Sequence, residues 1–190
     1  MNAKLRGTLI AMLLATPSMV LPYSAVAGPR GAKNQSSEPR SQQALYKEVR
    51  HQLVMLPWYS VFDNLAYKVE GDKVTLYGQV TRPSLKSDAE ADVKSVEGVS
   101  SVVNNIEVLP PSPMDDQIRR SVYRSIYGET GLSRYSIHAV PSIHIIVKGG
   151  RVTLEGVVDS EADKNLANLR ANQVPNVFSV KNNLAVGNVK

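Results

Sequence analysis

Lys73-Val74-Thr75-Leu76-Tyr77-Gly78-Gln79-Val80 returns 78 residues later as Arg151-Val152-Thr153-Leu154-Glu155-Gly156-Val157-Val158. At that offset, without a gap, Val69, Gly71, Ala89, Val96, Val99, Ser101, Val102, Asn104, Asn105 and Val108 also meet identical residues. With Lys86, which meets Lys164, that makes 16 identities over the 40 positions from Val69 to Val108. A repeat at fixed spacing is one structural unit written twice, so every further expectation must hold in both copies.

Outward from the repeated stretch, hydrophobic spacing supplies the neighbouring elements. Val74, Leu76, Gly78 and Val80 alternate, as do Leu65, Tyr67 and Val69 before them, with Gly71-Asp72 between. Alternating runs around a tight glycine turn predict a hairpin. The second copy has Ile143, Ile145 and Val147, then Gly149-Gly150, then Val152, Leu154, Gly156 and Val158. Gly78 and Gly156 fall mid-strand on the apolar face, which predicts close approach of another backbone, expected to be a helix crossing the sheet.

A helix precedes each hairpin. Leu45, Val49, Leu53 and Leu56 make one stripe, with Ser41 as cap and Pro57 as stop. Ile118, Val122 and Ile126 make the other, opened by Ser112-Pro113-Met114-Asp115 and stopped at Gly128. A second helix follows each hairpin, along Leu85, Ala89, Val93 and Val96 in one copy. In the other it spans Ser160 to Val174, with Ser160 and Asp163 as a capping pair. A last strand closes each copy: Val102, Asn104, Ile106 and Val108, then Val180, Asn182, Leu184 and Val186.

Residues 1–27 read as a secretory leader: Lys4 and Arg6, an apolar run from Leu9 to Ala15, and Ala25-Val26-Ala27 before Gly28. Pro17 and Pro22 break the run below the ~20 residues a membrane span needs. Residues 28–41 read as a flexible tail. Residues 42–109 form lobe one, 110–114 a proline-rich link, and 115–187 lobe two. Lobes of about 70 residues are marginal alone, so they should pack on each other or need a partner.

The net charge of +5 arises mostly ahead of residue 42. Lobe one carries seven basic and nine acidic side chains; residues 115–190 carry ten and seven. No strongly basic face is implied, and no nucleic-acid partner is expected. The chain has no cysteine, which excludes disulfides, thiolate metal sites and cysteine nucleophiles. His51, His138 and His144 lack ligand spacing, so no metal is expected. No nucleophile elbow, HExxH motif or phosphate loop appears; neither catalytic residues nor a cofactor are expected.

Gly71-x-x-Val74-Thr75-Leu76-x-Gly78-x-Val80 with Gly98-Val99-x-x-Val102-x-Asn104-x-Ile106, and its echo ending Asn176-Val177-x-x-Val180-x-Asn182-x-Leu184, resembles the BON domain family. The likeness covers nearly all of residues 42–187, as a tandem pair. It implies an α+β fold: two tandem αββαβ lobes, each a three-stranded mixed sheet with two helices packed on one face. It also implies a non-enzymatic periplasmic protein that binds phospholipid or envelope proteins and helps keep the envelope intact under stress. The alternative is a protein–protein or chaperone-like module. Asn176 departs from the family's glycine, a mild change because asparagine tolerates a left-handed backbone.

Two regions stand out as candidate lipid- or partner-binding sites. The link between first helix and first strand is long in both lobes. In lobe one it holds Trp58, Tyr59 and Phe62, suited either to a membrane interface or to filling the lobe's own core. In lobe two, Leu166 and Leu169 replace Asp88 and Ala91 and widen the apolar arc of the second helix to about 200°. They should contact lobe one, another chain or lipid. Lys164 and Arg170 flank them and suit anionic headgroups.

Overall fold

The computed structural model describes residues 38–137 and 140–187. The leader, most of the tail and His138 lie outside these residues. In lobe one, helix α1 spans Glu38–Val54, strand β1 Asn64–Glu70, β2 Lys73–Val80 and helix α2 Pro83–Lys94. The closing strand comes in two pieces, β3 Ser101–Asn104 and β4 Glu107–Val108. Lobe two repeats the order with α3 (Pro113–Tyr127), β5 (Ile143–Lys148), β6 (Arg151–Val158), α4 (Glu161–Asn172), β7 (Ser179–Asn182) and β8 (Ala185–Val186). A 3-10 turn at Ser133–Ser136 lies in its long link.

Each sheet is mixed, as expected. β2 pairs antiparallel with β1 (Val69↔Val74, Tyr67↔Leu76) and parallel with β3 (Val74↔Val102) and β4 (Val80↔Val108). β6 repeats the pairings with β5, β7 and β8. Val74, Leu76 and Val80 are fully buried with Val49, Leu85, Ala89 and Val93 from the two helices. Val152, Leu154 and Val158 occupy the same places in lobe two, against Ile118, Val122 and Ala167.

Four sequence expectations need correction. α1 begins at Glu38, so Ser41 lies in its first turn and not at its cap. The closing strand is interrupted in both copies by the same device. The Asn104 amide donates to Lys86 O (2.8 Å) while its oxygen accepts from Ile106 N–H; Asn182 does likewise with Lys164 O (2.8 Å) and Leu184 N–H. An asparagine that bonds its own backbone two residues on turns the chain locally.

The backbone that approaches Gly78 is not a helix. It is the Asn64 carbonyl on the adjoining strand, 1.9 Å from where a Cβ would stand; at Gly156 it is the Ser142 carbonyl, at 2.0 Å. The fourth correction concerns the long links, whose two copies behave differently.

In lobe two the link folds onto its own lobe. Leu132 and Tyr135 are buried in that core, and the Tyr135 hydroxyl donates to Asp163 (3.0 Å) and accepts from Asp159 N–H (2.8 Å). In lobe one the link crosses over. Val61 is buried in the core of lobe two, and its carbonyl accepts from Ile145 N–H on the outer edge of β5 (2.8 Å). The lobes therefore touch, one of the two outcomes expected of lobes this small, through a loan of one residue from lobe one to the other core. Both helix starts in lobe two match the sequence. Ser112 caps α3 through Asp115 N–H, and Ser160 caps α4 through Asp163 N–H. Asp115 then accepts from Gly149 and Gly150 N–H, tying the β5–β6 turn to α3.

Candidate functional site

The lobe-one link is held rigidly by one carboxylate. Asp63, fully buried, accepts from Ser60 N–H (3.1 Å), Ser60 Oγ–H (2.6 Å), Thr81 N–H (2.7 Å) and Thr81 Oγ1–H (2.9 Å). Burying a charge is costly unless its lone pairs are filled, and here four donors fill them. The Ser60–Asp63 spacing is the one local signal that this segment is ordered, and it resembles a helix-capping pair.

This clamp aims the aromatic residues in different directions. Trp58 points outward and is 68% exposed, on a left-handed backbone (φ 70°), with the Arg82 guanidinium 4.9 Å from its ring centroid. Tyr59 turns inward against the lobe-one core and stacks on His144 of β5, 5.7 Å between centroids. Burial pushes its hydroxyl up to about 12, against a backbone hydrogen bond at Leu65. Phe62 meets Tyr123 of α3 edge-on at 6.2 Å. Trp58 thus stands exposed, while Tyr59 and Phe62 join the two lobes.

Val54 and Met55, exposed at the end of α1, precede Trp58 in the chain. The α4 residues do not form one matching patch. Leu166 is half-buried against lobe two's own core, beneath the link at Gly131, and only Leu169 stands exposed. Arg170 is ion-paired with Glu129, so it is not an idle cation. Lys164 is half-buried, and its carbonyl receives the Asn182 amide. Among the described residues no helix is long and apolar enough to cross a membrane.

A pH dependence of the lobe contact is expected through His144, which stacks on Tyr59 there. Burial holds its imidazole below the ordinary value of 6.5; the Asp63 and Ser60 backbone and the Asp63 and Glu155 carboxylates oppose that only in part. Among the described residues its Nδ1 is buried without a hydrogen-bond partner. Below about pH 6.5 the unfolded chain takes up a proton that the folded one resists, so stability falls as pH falls. Urea midpoints should therefore drop between about pH 7.5 and 5.5, and His144→Gln should flatten that slope. An unchanged slope in the variant would place the titration elsewhere.

The sequence profile of the BON domain matches residues 44–110 and 115–188, one lobe each. No curated protein matches the chain. Among solved structures, the C-terminal domain of CdsD, the structural protein of the type III secretion system of Chlamydia trachomatis, is similar at 12% identity and a TM-score of 0.30. That match covers 76% of this chain and 98% of that one. A second CdsD structure gives 13%, 0.31, 77% and 94%. Neither bears on what this chain binds.

Proposed function

The chain belongs to the BON domain family, carrying two such domains in tandem, and on that premise we propose that it is a non-enzymatic, exported protein that binds cell-envelope surfaces. The surface is anionic phospholipid, the compartment is the periplasm, and the role is support of envelope integrity under stress. Residues 1–27, read as a leader, support the compartment.

One observation carries the lipid reading: Trp58 is held out in water on a backbone that a bulky residue avoids. A left-handed tryptophan costs about 1–2 kcal/mol and recovers none of it by burial. Strain of this kind persists where the exposed side chain is used. Tryptophan suits the headgroup layer because its ring is apolar and its N–H polar. Arg82 over the ring adds a cation.

Trp58→Gly should separate binding from folding. Glycine relieves the left-handed strain and gives up only the cation–π attraction of Arg82, so stability should change by less than about 1 kcal/mol. Co-sedimentation with vesicles containing phosphatidylglycerol should fall about tenfold, since the burial of one indole is worth more than about 1.4 kcal/mol. Unaltered co-sedimentation of the folded variant would reject Trp58 as the point of attachment. Equal loss with Leu169→Asp would move it to α4.

The protein–protein reading keeps one observation in its favour. β5 already accepts a foreign segment at its edge through Val61, which is how an extended partner chain is captured. A specific protein partner that survives detergent in envelope extracts would favour it over lipid.

A further inference from the structure

An open cleft of about 590 Å³ lies where the lobe-one link meets α3. Its walls include Tyr59, Phe62, Tyr123, Pro141 and two arginines, Arg120 and Arg124. Among the described residues no carboxylate lines it. Among the described residues Arg120 has no ion-pair or hydrogen-bond partner, and the Arg124 guanidinium has only a long approach to Ser121 Oγ (3.5 Å).

The pair sits one helical turn apart on the same face of α3. Like charges at that spacing destabilise a helix by a few tenths of a kcal/mol. The other charged side chains nearby show the contrast. Arg119 is paired with Asp116 and with Val147 O, Arg170 with Glu129, and Arg134 with Asp163. Among the arginines of α3, the 3-10 turn and α4, the two in the cleft alone are left without a carboxylate.

We propose that this interlobe cleft is a binding site for a phosphate group carried on a flat or apolar stem. Two guanidiniums hold a phosphate through charge-assisted, bidentate hydrogen bonds. The edge-on Phe62–Tyr123 pair and Pro141 offer the stem an apolar wall. The volume is that of small-molecule sites, which favour junctions between domains. The site is separate from the Trp58 surface, and a ligand here would touch both lobes and so favour their docked arrangement.

Phenyl phosphate is the probe, titrated calorimetrically into the full chain in low-salt, phosphate-free buffer. Saturable binding tighter than about 1 mM is expected, with inorganic phosphate about tenfold weaker because it leaves the apolar wall uncovered. Arg120→Gln/Arg124→Gln should weaken phenyl phosphate by about tenfold or more with melting temperature unchanged or raised, since the substitution removes repulsion. Trp58→Gly should bind the probe as wild type does, whether or not it still binds vesicles. Absence of saturable binding, equal affinity for inorganic phosphate, or full binding by the double glutamine variant would each overturn the site. Monomeric dihexanoyl phosphatidylglycerol decides the source. Competition with phenyl phosphate supports the site with a lipid headgroup as its ligand, and lack of competition supports it with a soluble organic phosphate.

Discussion

Val61→Asp should unfold lobe two, although residue 61 belongs to lobe one by sequence. Its side chain is 7% exposed and lies in the same core as Ile118, Ile126, Leu132 and Ile143. The side chains it packs against in that core are aliphatic and aromatic, while Arg120 and Arg124 of the adjoining cleft stand exposed. An unpaired buried charge costs about 3–5 kcal/mol, a large part of the stability of a domain this small. The carbonyl of residue 61 would also be pulled from Ile145 N–H, exposing the edge of β5. Hydrogen exchange reads the outcome by position. Protection should be lost across β5, β6 and α3, while β2 and α2 keep theirs. Val61→Ala, which removes packing without adding charge, should cost about 1–2 kcal/mol in the same lobe. Loss of protection confined to lobe one in both variants would show that Val61 packs at home.

The borrowed residue explains what could and could not be read from the chain. Strands and helices were legible because their signals are local and occur twice. The period of two in Val74-Leu76-Gly78-Val80 and the stripe of Ile118, Val122 and Ile126 need no knowledge of distant residues. Asn176 was legible too: it stands at φ 69° where lobe one has Gly98. What failed depended on partners far along the sequence. Asn104 and Asn182 were visible as identities, but their use in breaking the last strand needs a helix carbonyl 18 residues away. Leu166 looked surplus to one sheet because the cover supplied by the link at Gly131 has no periodic signature. Arg170 looked free because Glu129 lies 41 residues earlier. Val61 had no signal at all, since its segment has no period and no echo in lobe two. The Trp58 link stands out by its aromatic content, yet composition could not say that its side chains would part company. The arginine pair on α3 was in plain view but gained meaning only when a cleft, without carboxylates among the described residues, formed around it.

Gly156→Ala and Gly78→Ala should be the most damaging single-atom changes in the chain, each in its own lobe. Both glycines sit at φ near +120°, a region closed to residues with a Cβ. An added Cβ would stand 2.0 Å from Ser142 O or 1.9 Å from Asn64 O, and both clashes are with backbone that cannot rotate away. Strain and clash together should cost about 3 kcal/mol or more. In lobes of about 70 residues that lowers the melting temperature by roughly 12 °C or more. Gly71→Ala is the control: it also has positive φ but meets no atom within 4 Å, so it should cost only about 1 kcal/mol. The paired design tests the duplication itself. If both copies use glycine for the same reason, the two alanine variants should lose similar stability, with Gly156→Ala exposing β5–β6 and Gly78→Ala exposing β1–β2. The Val61 loan adds a directional effect. Moving β1 shifts Asn64, which follows the Asp63 clamp, so Gly78→Ala should also weaken the hold on β5, whereas Gly156→Ala should leave Trp58 fluorescence as it is in the wild type. Symmetric spread of damage to both lobes from either variant would mean that the two domains melt as one unit and that the docking at Val61 is stronger than either core.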